Sequence, residues 1–284
     1  MIDFVEVTSS VPAVTRVIPA DTGASVTGVT SLGDDVFVVR DDWSQQIAVY
    51  NAVTFTLQRR LSVPGLDVSR GQAACASNKC LYASDVINDC VHRVELSGSN
   101  AVTNWSVGDG PTGLTVSSDK NVMVVIQDER KLQQFTTRGT LLQTIQLQPH
   151  IKYPQQVIQL SCGQFVISHG GTHHRVCLLD DKGAVVQSYG STQGSDLTKL
   201  NCPMGLAVDK RGNILVADTQ NNRLLVLDRS LTSAREMSVS VDGGLNDPRS
   251  VWYDKSRGRL YIGEWKGRRV IIINHLKDFT SSQV

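Results

Sequence analysis

Along this chain the apolar residues come in short blocks. Runs of strand length such as Val122–Ile126, Ile214–Asp218 and Val270–Ile273 are separated by Gly, Asn, Asp or Pro, and little helical periodicity appears between them. Blocks of this kind predict β-strands joined by tight turns. They fall far short of the ~18–20 residues that a membrane-spanning helix needs, so no membrane partner is expected.

The blocks recur with a long period. The clearest unit is Pro203-Met-Gly-Leu-Ala-Val-Asp-Lys-Arg-Gly-Asn-Ile-Leu-Val-Ala-Asp218-Thr-Gln-Asn-Asn-Arg223, and it returns as Pro248-Arg-Ser-Val-Trp-Tyr-Asp254 with Gly258-Arg-Leu-Tyr-Ile-Gly-Glu264 and Arg269. Weaker copies start at Pro111 and Pro154, and degenerate ones run through Val36-Phe-Val-Val-Arg-Asp41 and Cys80-Leu-Tyr-Ala-Ser-Asp85. With Asp218 as register, the equivalent positions are Asp41, Asp85, Ile126, His169, Asp218 and Glu264, spaced by 41 to 49 residues. A period of this length marks a radial repeat array.

Six such units predict an all-β, six-bladed β-propeller with four-stranded blades in a single domain spanning 1–284. The blades are expected at about 25–65, 66–110, 111–152, 153–202, 203–247 and 248–277. In the fifth, Gly205–Asp209 reads as the inner strand, Ile214–Asp218 as the second, Arg223–Asp228 as the third and Ala234–Val239 as the outer one. The sixth unit lacks an outer strand, whereas Val14–Ile18 precedes the first unit without one of its own. The N-terminal strand is therefore expected to complete the last blade and remove the open edge.

The segment 203–223 closely resembles the NHL repeat, and its weaker copies cover nearly the whole chain. This resemblance extends to the C-terminal propellers of tripartite-motif (TRIM-NHL) ubiquitin ligases, and it implies a domain that recognises RNA hairpins or single strands, or docks proteins. RING, B-box and coiled-coil elements are not found in the sequence, so within that family it would be an excised or standalone propeller.

Repetition separates structure from function. Asp218 with Arg223 and Glu264 with Arg269 stand at equal separation in two units, which predicts blade-stabilising ion pairs. Gly113 and Gly205 are read as allowing close backbone approach around the axis. Binding residues are then sought in the loops where units depart from their consensus. The loops between second and third strands and the connections into the inner strands share one face, and there they gather Trp43, Arg70, Tyr153, His173, His174, Arg249, Trp265, Lys266 and Arg268 as candidate partner-binding residues.

Charge sharpens this picture. The chain of 284 residues has 28 basic and 27 acidic side chains, a net +1, and 40% apolar residues, which excludes a disordered or low-complexity class. Between Pro248 and Lys277, eight basic residues face two acids, a local +6 that leaves about −5 elsewhere. A basic sector flanked by aromatic residues suits single-stranded nucleic acid, with phosphates on Lys and Arg and bases on the rings. Trp252 and Tyr253 are read as core, and Arg257 and Arg259 as solvating a turn.

RNA is thus the favoured partner, with a protein or peptide on the same face as the alternative, since aromatic and Arg residues also make protein hot spots. An enzymatic alternative rests on resemblance to six-bladed lactonases and amidating lyases that hold a metal over the channel. Here the inner strands present almost no acid, and no nucleophile with base and orienter is recognisable, so no catalytic residue, cofactor or metal is assigned. His169, His173 and His174 lack metal-ligand spacing. The six cysteines form no C-x2-C pair and are expected to be reduced and buried. With the N-terminal segment reading as no signal peptide, a monomeric cytoplasmic domain is expected, and Asn104-Trp-Ser is a chance match to the glycosylation pattern.

Overall fold

A computed structural model describes residues 14–19 and 23–274, and its strands form six antiparallel sheets of four strands each. The apolar blocks map onto the second and third strands of each sheet. In the fifth blade every residue of Ile214–Asp218 and of Arg223–Leu227 is buried. Alternate side chains go to opposite sides: Ile214 and Val216 join a core with Ile158, Val166 and Val176 of the fourth blade, while Leu215 and Ala217 join Val251, Leu260 and Ile262 of the sixth. Burial on both faces turns the usual strand alternation into a continuous apolar run. Outer strands such as Leu57–Ser62 and Leu141–Gln146 bury a single residue each, Leu61 and Ile145.

The inner strands are Ser25–Leu32, Gln72–Cys75, Pro111–Val116, Lys152–Gln159, Pro203–Val208 and Pro248–Asp254, and each packs against the inner strands of both neighbouring blades. Their approach is close. A Cβ on Gly205 would lie 2.4 Å from the Arg249 carbonyl oxygen, and one on Gly113 would lie 2.3 Å from that of Gln155. Only glycine lets the neighbouring backbone come so near at these two positions.

Val14–Ile18 closes the ring as the sequence suggests. It runs antiparallel to Val270–Ile273 with Ile18 opposite Val270, and Ile18 is buried in the core between the sixth and first blades. The inner strand of the fifth blade begins at Pro203 rather than Gly205, and its outer strand is Ala234–Met237. All six cysteines are free thiols, but Cys162 is exposed and Cys202 only half-buried. The apolar run preceding it ends at Leu160, and the chain then turns back through a Gly163 N–H to Leu160 carbonyl hydrogen bond. Lys277 lies outside the described residues.

The register residue of the first blade is Arg40 rather than Asp41, because Val26 pairs with Arg40 as Pro203 pairs with Asp218. Arg40, Asp85, Ile126, His169, Asp218 and Glu264 are all buried. Asp218 accepts from Arg223 Nε at 2.8 Å, from the Asn201 N–H at 2.7 Å and from Asn221 Nδ2 at 2.8 Å. The same guanidinium donates to the carbonyls of Ser195, Asp196 and Lys199. Arg269 repeats this with Glu264 at 2.6 Å and with the carbonyls of Asp242 and Gly244. Each pair therefore clamps the connection that leads into its own blade.

Arg257 and Arg259 do more than solvate a turn. Arg257 reaches Asp34 and the Gly33 carbonyl in the first blade as well as Asp254, and Arg259 reaches the Ala52 carbonyl and stacks over Phe55 at 4.9 Å. These arginines join the sixth blade to the first. With Arg269 on Glu264, much of the basic sector is spent inside the fold.

Two stability predictions follow from these buried groups. Arg223→Ala strands a fully buried carboxylate and three carbonyls, so it is expected to cost about 3–5 kcal/mol in urea unfolding. Arg59→Ala, which removes a largely exposed pair with Asp35, is expected to cost ~1 kcal/mol or less; equal losses for the two variants would contradict the clamp. His169 gives a pH signature, because burial pushes its imidazole down to about 4. Its folded pKa lies below the unfolded value of ~6.5, so the unfolded chain takes the proton first and stability is lost as pH falls from ~6.5 toward 4. His169→Leu is expected to remove up to about 3 kcal/mol of that dependence; an unchanged profile would contradict a neutral buried ring. His92 and His174 are shifted in the same direction by burial and leave a residual slope in the variant.

Candidate functional site

The inner strands enclose a central channel of about 680 Å³. At the mouth on the loop face the six blades contribute Thr27, Arg70, Thr112, Gln155, Met204 and Arg249 to its lining. Deeper polar groups turn toward neighbouring blades: Gln72 Nε2 donates to the Phe37 carbonyl, Gln156 Nε2 to that of Leu114, and Trp252 Nε1 to Ser31 Oγ. Asp254, which lines the channel toward the far face, accepts from Ser31, Ser256 and Arg257. The positive groups at the loop-face mouth are thus Arg70 and Arg249.

Arg249 stands in a built cluster. Its guanidinium lies 3.9 Å from the centre of the Trp265 ring, and its Nε is 3.5 Å from Asp247 Oδ1. Lys266 Nζ is 3.3 Å from the other oxygen of Asp247. Burial pushes the Arg249 guanidinium below its ordinary range, Asp247 opposes this, and Arg70 adds a repulsion. Trp265 therefore serves as a platform for Arg249, while Lys266 and Arg70 remain exposed beside it. Arg268 is also exposed, at the tip of the same sixth-blade loop.

The other candidates lie elsewhere on this face. Trp43 in the first blade is 61% exposed and Tyr153 at the fourth is 59% exposed. Tyr153 precedes Pro154, and the residues in that position before Pro111, Pro203 and Pro248 are Gly110, Cys202 and Asp247, all with positive φ between 55° and 70°; Tyr153 has φ 48°. The repeat imposes a left-handed backbone there that glycine adopts without strain and a bulky aromatic does not. Trp43 likewise has φ 55°. His174 is committed to the fold, its Nδ1 accepting the Cys202 N–H at 2.7 Å, and His173 is half-buried. Lys152, exposed beside Tyr153, and Arg130, exposed on the third-blade loop, were not among the residues expected from sequence. Their positions in the loops are readable from the repeat, whereas their exposure depends on packing around each loop.

A second constellation, missed by the sequence reading, lies beneath the loop of the second blade. Cys90 sits opposite Asp85, in the place where Arg223 sits opposite Asp218, and His92 follows on the same side of the strand. His92 Nε2 is 3.4 Å from Asp85 Oδ2 and 3.4 Å from Cys90 Sγ. Asp85 is held by the N–H groups of Asp67, Ile87 and Asn88 and by Asn88 Nδ2. Burial together with Asp85, Asp89 and Asp67 pushes the Cys90 thiol up to about 11. The Cys-x-His spacing, which places both side chains on one face of a strand, was the signal available in the sequence.

An NHL repeat is matched over residues 200–227, which contain the inner, second and third strands of the fifth blade. No curated protein matches the chain. Among solved structures, a streptogramin B lyase is similar at 11% identity over 91% of this chain and 96% of its own, with a TM-score of 0.67. Hydrazine synthase from Kuenenia stuttgartiensis shares 14% identity over 97% of this chain and 100% of its own, with a TM-score of 0.68. A catalytically inactive virginiamycin B lyase from Staphylococcus aureus with quinupristin shares 12% identity over 95% and 86%, with a TM-score of 0.65. Identities this low speak for the fold alone. With six blades closed by the N-terminal strand and an NHL repeat matched in the fifth, the chain is a six-bladed β-propeller that carries an NHL repeat.

Proposed function

We propose that the chain is a non-catalytic recognition module that binds single-stranded or hairpin RNA on its loop face. The observation that carries this reading is the placement of Trp43 and Tyr153. Both rings are exposed on the loop face in a backbone conformation that disfavours them, and they belong to blades on opposite sides of a mouth that carries Arg70 and Arg249. Strain of this kind gathers at binding sites, where a side chain is kept for what it contacts. Bases stack on the two rings, and Arg70, Lys152, Lys266 and Arg268 meet phosphates. The sixth-blade cluster supplies only part of the positive surface, since Arg257, Arg259 and Arg269 are held within the fold.

The channel favours a second reading, a small ligand held at the axis. Its volume falls within the ~300–1,000 Å³ of ligand pockets, and the fold is shared with a lyase structure that includes quinupristin. Such a ligand would be uncharged or anionic, given Arg70 and Arg249 at the mouth.

Fluorescence anisotropy with a labelled random single-stranded RNA pool separates these readings. Trp43→Ala and Tyr153→Ala are each expected to lower affinity by ~1–3 kcal/mol, and Arg70→Glu and Lys266→Glu to flatten the salt dependence by ~0.7 per lost phosphate contact. No binding at low salt by the folded chain overturns the RNA reading. A capture experiment that instead recovers a protein through the same residues would replace it with a protein-binding face.

A further inference from the structure

We propose that Asp85, Cys90 and His92 form a binding site for a divalent transition-metal ion of the zinc type. One carboxylate oxygen, one sulfur and one ring nitrogen lie within 4.8 Å of one another, all on buried residues. Tetrahedral bonds of ~2.0–2.3 Å hold ligand atoms ~3.3–3.8 Å apart, and the two closest separations here are both 3.4 Å. Thiolate with imidazole selects zinc-like ions over magnesium or calcium, which prefer oxygen alone.

The surroundings have the organisation that a bound ion requires. All three ligands stand on paired strands rather than on a loop, with Asp85 and Cys90 in direct register. Four hydrogen bonds orient the Asp85 carboxylate, as supporting groups do around metal-bound carboxylates. His92 Nδ1 is buried without a hydrogen bond. When Nε2 binds an ion, the ring proton resides on Nδ1. The Cys90 thiol proton is released to solvent, and the fourth coordination position is left to water.

Charge explains why the ion belongs in this blade. The fifth and sixth blades place an arginine against the buried acid, and the second blade places Cys90 there, amid Asp67, Asp85 and Asp89. A dication takes the place of the missing guanidinium. The fourth blade provides an internal contrast. His169 Nε2 lies 3.5 Å from Cys177 Sγ, but this pair has the basic side chains His150, Arg175 and His173 as neighbours instead of acids.

Titration of the purified chain with Co(II) tests the site. One equivalent is expected to produce a thiolate-to-cobalt charge-transfer absorption that Zn(II) removes. Cys90→Ser and His92→Asn are expected to abolish the absorption or weaken binding about tenfold or more, while Cys177→Ser leaves it intact. Zn(II) is also expected to raise the melting temperature of the unmodified chain and not that of the Cys90 variant. The wild-type titration stands without any variant: no charge-transfer absorption from the folded chain at excess cobalt overturns the proposal. Absorption that survives Cys90→Ser, or that is lost on His174→Ala, overturns it equally.

Discussion

The ring rests on one constraint: the second strand of every blade, and the third in most of them, is buried on both faces. Each blade completes the cores on either side of it, so no blade can bury its apolar surface alone. The inner strands then meet at the axis at distances that glycine permits, and the N-terminal strand fills the last edge. Closure converts six weak sheets into one cooperative body. Because the faces of the blades are consumed by packing, variation is confined to the rim, the axis and the loops.

Within that ring, one buried position of each blade has been filled in different ways. Asp218 and Glu264 take arginine partners that clamp the incoming connection, Asp85 takes Cys90 and His92, and Ile126 and His169 abandon the acid altogether. Similar backbone frames thus hold an ion pair, a mixed cluster of metal-ligand type and an apolar plug. The position lies directly under the loop face, so its chemistry sets how firmly each loop is held.

The architecture was legible in the sequence because its signals are local. Five-residue apolar runs, the Pro-x-Gly start of an inner strand and the Asp218 to Arg223 spacing each report a contact made within one hairpin or one repeat. What crossed between blades was not legible. Arg257 and Arg259 read as surface charge because their partners in the first blade, Asp34 and Ala52, lie more than 200 residues away in the chain. The loop-face residues were placed on the correct face by topology, but the stacking of Arg249 on Trp265 and the hydrogen bond from the Cys202 N–H to His174 depend on side-chain packing that no period encodes. The degenerate first blade lacks the proline that marks register in the last four blades, and there the sequence pointed to Asp41 one residue beyond Arg40.

The central claim is that recognition takes place on the loop face, around the channel mouth. Photo-crosslinking of thiouridine-substituted single-stranded RNA to the intact chain, mapped by mass spectrometry, addresses it directly. Adducts concentrated at Trp43, Tyr153 and the 265–268 loop are the predicted result. Adducts confined to the outer strands, such as Leu57–Ser62, or to the far-face turns such as the one after Asp209, would contradict it.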